Sequence, residues 1–167
     1  LCNAVLECKE SQRTLVALER GNLFVIPLDD DRIWYRYHHL FADVLKTRAL
    51  DEQPDLIPLL HRRASEWYEQ NGHRTDAIRH LFAAQEFERA ADLVEQTWPV
   101  IPLGIPPATW LDWVNALPDE LVRKRPVLSA GAAWMLIDSG ELEEAEARLH
   151  EAQRWLNPEG EAVTESS

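Results

Sequence analysis

The chain has 167 residues and a mass of 19.2 kDa, is 46% hydrophobic and 28% charged, and is long enough to bury a core. Its 17 basic groups against 29 acidic ones leave a formal charge of −12, which argues against unaided contact with nucleic acid or an anionic membrane. No apolar run approaches the roughly 18 residues of a spanning helix, and Cys2 and Cys8 alone cannot build a disulfide framework, so a reducing cytoplasmic setting is expected.

In chain order, Ser11 is a plausible N-cap for a short helix carrying Leu15, Val16 and Leu18 and ended by Gly21. Leu23 to Leu28 reads as a strand, Asp29-Asp30-Asp31 as a turn, and the aromatic, β-branched stretch Ile33 to Tyr37 as the return strand. Leu40, Phe41, Val44 and Leu45 recur at helical spacing. Helix, hairpin and helix in this order are the plan of a winged helix, although a hairpin capped by unrelated helices has the same periodicity.

After Pro54 the pattern is helical throughout. Leu56, Leu60, Ala64, Trp67 and Tyr68 form one stripe ended by Asn71-Gly72, Ala77, Leu81 and Ala84 a second, and Phe87, Ala90, Ala91, Val94 and Trp98 a third. A proline-rich connection runs from Pro99 to Pro107, with Pro107 suited to the first turn of a helix carrying Trp110, Leu111, Val114 and Leu117. Pro118-Asp119 opens a turn or short helix. Val127, Ala130, Trp134 and Ile137 mark the next helix, and Leu142, Ala145, Leu149, Ala152 and Leu156 the last. Gly140 leaves so short a turn that these two must run antiparallel. The tail after Pro158 has no apolar face.

Charge divides the chain too. Residues 1–50 hold seven basic and seven acidic groups, so residues 51–167 carry the entire −12. That shift predicts a domain boundary near Leu50, with residues 1–50 as the winged helix and 51–167 as a helical domain truncated at its C-terminal end. A repeat is visible in the second part. Gly72 and Gly140 are 68 residues apart, twice 34, and in the same frame Ala77 matches Ala145, Leu81 matches Leu149, and Ala64 matches Ala132. Thirty-four is the tetratricopeptide period, so the expected fold class is mainly α: a small winged helix followed by an antiparallel, tetratricopeptide-like superhelix.

Motifs for chemistry are absent. There is no Gly-x-x-x-x-Gly-Lys phosphate loop, no Gly-x-Gly-x-x-Gly and no His-Glu-x-x-His. The six histidines and two cysteines show no zinc-ligand spacing, and no serine sits on a strand-to-helix elbow. Neither catalytic residues nor a metal site is expected. Among seven tryptophans, Trp67, Trp98 and Trp134 fall on apolar stripes and are expected in the core, whereas Trp110, Trp113 and Trp155 are candidates to line a ligand or partner groove.

Three segments in a fixed order carry a family resemblance: Leu28-Asp-Asp-Asp-Arg-Ile-Trp-Tyr-Arg-Tyr-His-His-Leu-Phe-Ala-Asp-Val-Leu45, then Leu60-His-Arg-Arg-Ala-Ser-Glu-Trp-Tyr-Glu-Gln-Asn-Gly72, then Trp110-Leu-Asp-Trp-Val-Asn-Ala-Leu-Pro-Asp-Glu-Leu121. With them the chain resembles the large ATP-binding LuxR-family transcriptional regulators of the MalT-like, STAND class. The resemblance implies an internal piece of a longer protein, in keeping with a first residue that is Leu rather than Met. A nucleotide-binding domain would precede it, and a helix-turn-helix that binds DNA would follow. It implies no cofactor in this segment, ATP or ADP in the intact protein, and a small-molecule inducer or inhibitory protein as the partner of the repeats. It also implies a phosphate contact from His38. His39 replaces the acidic residue usual at the next position, so the contact is shared between His38 and His39 as candidates. Capping of the helix or burial in the core is the plainer role for both. The alternative function is a stand-alone helical scaffold for protein–protein contacts.

Overall fold

The computed structural model describes residues 1–98 and 105–156, without the side chains of Glu151, Arg154, Trp155 and Leu156. The expected proline-rich connection up to Gly104 and the expected tail lie outside the described residues. The fold class is the expected one: mainly α, with a winged helix followed by antiparallel helices. Packing divides the chain after Gln85 into two compact units.

The first unit runs α1 (Cys2–Leu6), α2 (Ser11–Arg20), β1 (Val25–Pro27), β2 (Tyr35–Tyr37), α3 (His39–Glu52), α4 (Leu56–Gln70) and α5 (Arg74–Ala83). Helix α1, five residues without a readable period, is not anticipated by the sequence pattern. It rests on α4, where the Arg63 guanidinium donates to the Val5 carbonyl at 3.2 Å and pairs with Glu7 at 2.6 Å. It also changes the start of α2. Ser11 is the first helical residue, not the cap, because the Asn3 side chain of α1 accepts its N–H at 3.1 Å.

The hairpin pairs antiparallel with Val25 opposite Tyr37 and Pro27 opposite Tyr35. Both strands are shorter than the apolar runs that predict them. The Asp29 carboxylate folds back to accept the N–H groups of Ile33 (2.8 Å) and Trp34 (3.2 Å), which closes the turn, while the Trp34 carbonyl still accepts the Leu28 N–H at 2.8 Å across the hairpin. Helices α4 and α5 form the next hairpin. Gly72 adopts φ +79°, a conformation open to glycine at no steric cost, and Ala64, Ala77, Ile78 and Leu81 fill the seam.

The second unit runs α6 (Phe87–Thr97), α7 (Pro107–Ala116), α8 (Asp119–Arg123), α9 (Pro126–Ser139) and α10 (Leu142–Leu156). Gly140 caps α9 at φ +86° and turns the chain into α10. Positions 68 residues apart share burial at Ala77 and Ala145, Ala64 and Ala132, and Ala84 and Ala152. Leu149 departs from it, being 46% exposed where Leu81 is fully buried.

Helix α9 corrects one expectation. Its sequence is apolar around the whole circumference, so two stripes compete for the core. The inward one is Leu128, Ser129, Gly131, Ala132, Ala133 and Leu136. Small residues there let neighbouring helices approach closely and seat the Trp110 ring. The bulkier stripe of Val127, Ala130, Trp134 and Ile137 faces outward, and Trp134, expected in the core, is 68% exposed. Trp67 and Trp98 are half-buried.

Candidate functional site

His38 stands where the hairpin becomes a helix. Its N–H donates to the Phe24 carbonyl at 2.8 Å, the last rung of the wing, and its own carbonyl accepts from the N–H groups of Phe41 (3.0 Å) and Ala42 (2.9 Å). The backbone of His38 is therefore the N-cap of α3, at φ −57° and ψ 134°. The side chain takes no part in capping, and neither His38 nor His39 is buried. Their rings stack with centroids 4.4 Å apart. Below them Phe41 packs against Phe24 (5.0 Å) and Tyr37 (6.0 Å), fixing the first turn of α3 on the wing. Two exposed imidazoles thus stand at the N-terminus of a helix, an end whose first N–H groups favour an anion. Burial in the core, one of the plainer roles, does not apply to either ring.

The groove candidates are not brought together. Trp110 is fully buried, its Nε1–H donating to the Val94 carbonyl at 3.1 Å and its ring lying 4.8 Å from that of Trp98. A ring so enclosed lines no surface groove. It fills the core because α9 offers it a glycine. Trp113 is half-buried, and the side chain of Trp155 lies outside the described residues.

Two features escape the sequence reading. The first is an open cleft of about 650 Å³ in the first unit, between α1, α2, the wing and Trp67 and Tyr68 of α4. Cys8 lies at its edge with Sγ 3.0 Å from Ser11 Oγ, a contact that lowers the thiol below its usual range. The second is a histidine pair on the α4–α5 seam. His61 Nδ1 and His80 Nδ1 are 2.8 Å apart, and the Tyr68 ring stacks on His80 at 5.3 Å. The signal for it was present in the sequence. Residues 61 and 80 are centred on the same point of the chain as Ala64 and Ala77, between Gln70 and Asn71, so an antiparallel hairpin sets them opposite one another.

Residues 1–57 match the family model of the MalT winged helix domain. The chain is 35% identical over 134 residues to the serine/threonine-protein kinase PknK of Mycobacterium tuberculosis (strain ATCC 25618 / H37Rv), covering 80% of this chain and 12% of that protein. It is 31% identical over 146 residues to the HTH-type transcriptional regulator MalT of Serratia proteamaculans (strain 568), covering 87% of this chain and 16% of the regulator. With MalT of Klebsiella pneumoniae (strain 342) the identity is 28% over 155 residues, 90% of this chain and 17% of the regulator. The chain thus spans less than a fifth of the length of these relatives. No solved structure matches it significantly. The likeness to MalT-type transcription regulators begins in the winged helix and continues through the helices that follow it.

Proposed function

We propose that this chain, MalT-like from its winged helix onward, is the regulatory middle of an ATP-dependent, cytoplasmic transcription activator of the STAND type. In this reading the winged helix reports the nucleotide state of a preceding ATP-binding domain. The tetratricopeptide-like helices receive a small-molecule inducer or an inhibitory protein, and a following helix-turn-helix binds DNA. The segment itself performs no catalysis. The signal acts by binding the ATP-bound form more tightly than the ADP-bound form, since a ligand shifts a population only by its differential affinity.

The observation that carries the reading is that similarity to MalT covers 87% of the chain, so winged helix and helices are shared as one block. The His38–His39 junction gives that block a contact point. With ADP bound, the imidazole of His38 or His39 would donate to a phosphate oxygen, and the helix N-terminus would add favourable charge. A second reading rests on the identity to PknK. In that reading this block would regulate a kinase output instead, with the same sensing role.

Sequencing the coding region on both sides separates these readings. A phosphate-loop motif upstream with a helix-turn-helix downstream is expected. A kinase catalytic domain in the same reading frame favours the second reading, and neither one leaves the stand-alone scaffold.

A further inference from the structure

The α4–α5 seam holds two imidazoles where alanines and leucine would suffice. His61 and His80 meet Nδ1 to Nδ1 at 2.8 Å, with ring centroids 5.0 Å apart. At that distance one nitrogen donates a proton and the other accepts it, so one Nδ1 is protonated and the other bare. A second proton on the bridge would place two N–H groups head to head and two positive charges in contact.

The groups around the pair favour the neutral state. Arg79 of α5 adds positive charge, Asp76 of the same helix partly offsets it, and both rings are half-buried. From α4, Tyr68 stacks on His80 and reaches His73, 6.1 Å away, edge to face. Ser65, fully buried one turn from His61, makes no hydrogen bond to either ring, its Oγ having no partner among the described residues. On the α1 side, Glu7 is taken up by Arg63, and Cys2 is a thiol beside Tyr68. Burial, and for His80 also the neighbouring His61, lowers both imidazoles below their usual range. The 2.8 Å separation of the two nitrogens is that of a shared proton, and among the described residues no third His, Cys, Asp or Glu joins the pair.

We propose that His61 and His80 form a proton-operated clasp, closed while the two rings share one bridging proton and opened when both become cations. The sign follows from linkage. Both imidazoles are depressed in the folded chain, so the unfolded chain takes up protons first. The hairpin is at full stability above the ordinary histidine value near 6.5 and loses stability as pH falls below it. Acidification thus loosens α4 from α5, the hairpin directly following the winged helix, whatever signal the later helices receive.

Melting the 167-residue chain at about pH 7.5 and about pH 5, beside His80→Phe, tests the clasp. Phenylalanine keeps a ring on Tyr68 and removes the titration, while the remaining histidines are common to both proteins. The fall in melting temperature on acidification is expected to be larger for the wild type by roughly 2–4 °C. Equal falls would overturn the proposal. Should His80→Phe not fold, nitrogen NMR of the wild-type imidazoles decides. One Nδ1-protonated and one Nδ1-bare ring with two coupled titration steps supports the clasp, and two independent titrations near 6.5 refute it.

Discussion

Gly131 is closely confined by two tryptophan rings, and substituting it sets two effects against each other. A Cβ at Gly131 would lie 2.5 Å from Cη2 of Trp110 and 3.0 Å from the six-membered ring of Trp98. Carbon atoms rest about 3.5–4.0 Å apart. The Trp110 ring cannot yield cheaply, being fully buried, pinned through Nε1–H to Val94 and braced on Trp98. Overpacking of this kind costs about 1–3 kcal/mol, against about 1 kcal/mol gained when alanine replaces glycine inside a helix. Gly131→Ala should therefore destabilise the chain by about 1 kcal/mol. In a Trp110→Phe background, where the offending ring edge is gone, the same change should become neutral or stabilising, giving a coupling of about 1–2 kcal/mol. Urea denaturation followed by far-ultraviolet circular dichroism on the four proteins measures it. A Gly131→Ala that stabilises equally in both backgrounds would refute the packing argument.

Further expectations concern the same unit. Arg125, at the start of α9, donates to Asp92 (2.6 Å), Glu95 (3.1 Å) and Glu88 (2.9 Å) of α6. Burial works against its charge, but the bonds to Asp92 and Glu88 outweigh it and hold the guanidinium above its usual value. Arg125→Ala should cost about 1–3 kcal/mol, and high salt should recover part of that loss by screening the three carboxylates left behind. Trp110→Ala should cost about 3–5 kcal/mol and Trp134→Gln no more than about 0.5 kcal/mol in the same melts. Equal losses would contradict the inward and outward assignment of these two rings. Gly140→Ala should cost about 1–2 kcal/mol, since the left-handed conformation at φ +86° penalises a Cβ even in open space.

Punctuation was the most legible part of this sequence. Gly21, Asn71-Gly72, Pro107 and Gly140 bound helices where the pattern places them, because each residue acts through its own backbone. Side-chain placement was less legible where it depends on neighbours. The stripe containing Trp134 is the bulkier of two on α9, yet the small-residue stripe wins, since close helix approach and a seat for Trp110 stabilise more than burying one large ring. Helix α1 was hidden because five residues carry no period, and it shifted the cap of α2 through Asn3. His38 and His39 were legible as a junction, whereas the His61–His80 pair requires the hairpin to be folded about its turn before the two positions meet.

The proposed role of the winged helix turns on whether the His38–His39 junction holds nucleotide. The direct measurement is retention of ADP by the purified intact protein carrying His38→Ala or His39→Ala, together with its basal transcription. Faster ADP loss and raised basal output in at least one variant are predicted. Retention and output unchanged in both would contradict the account.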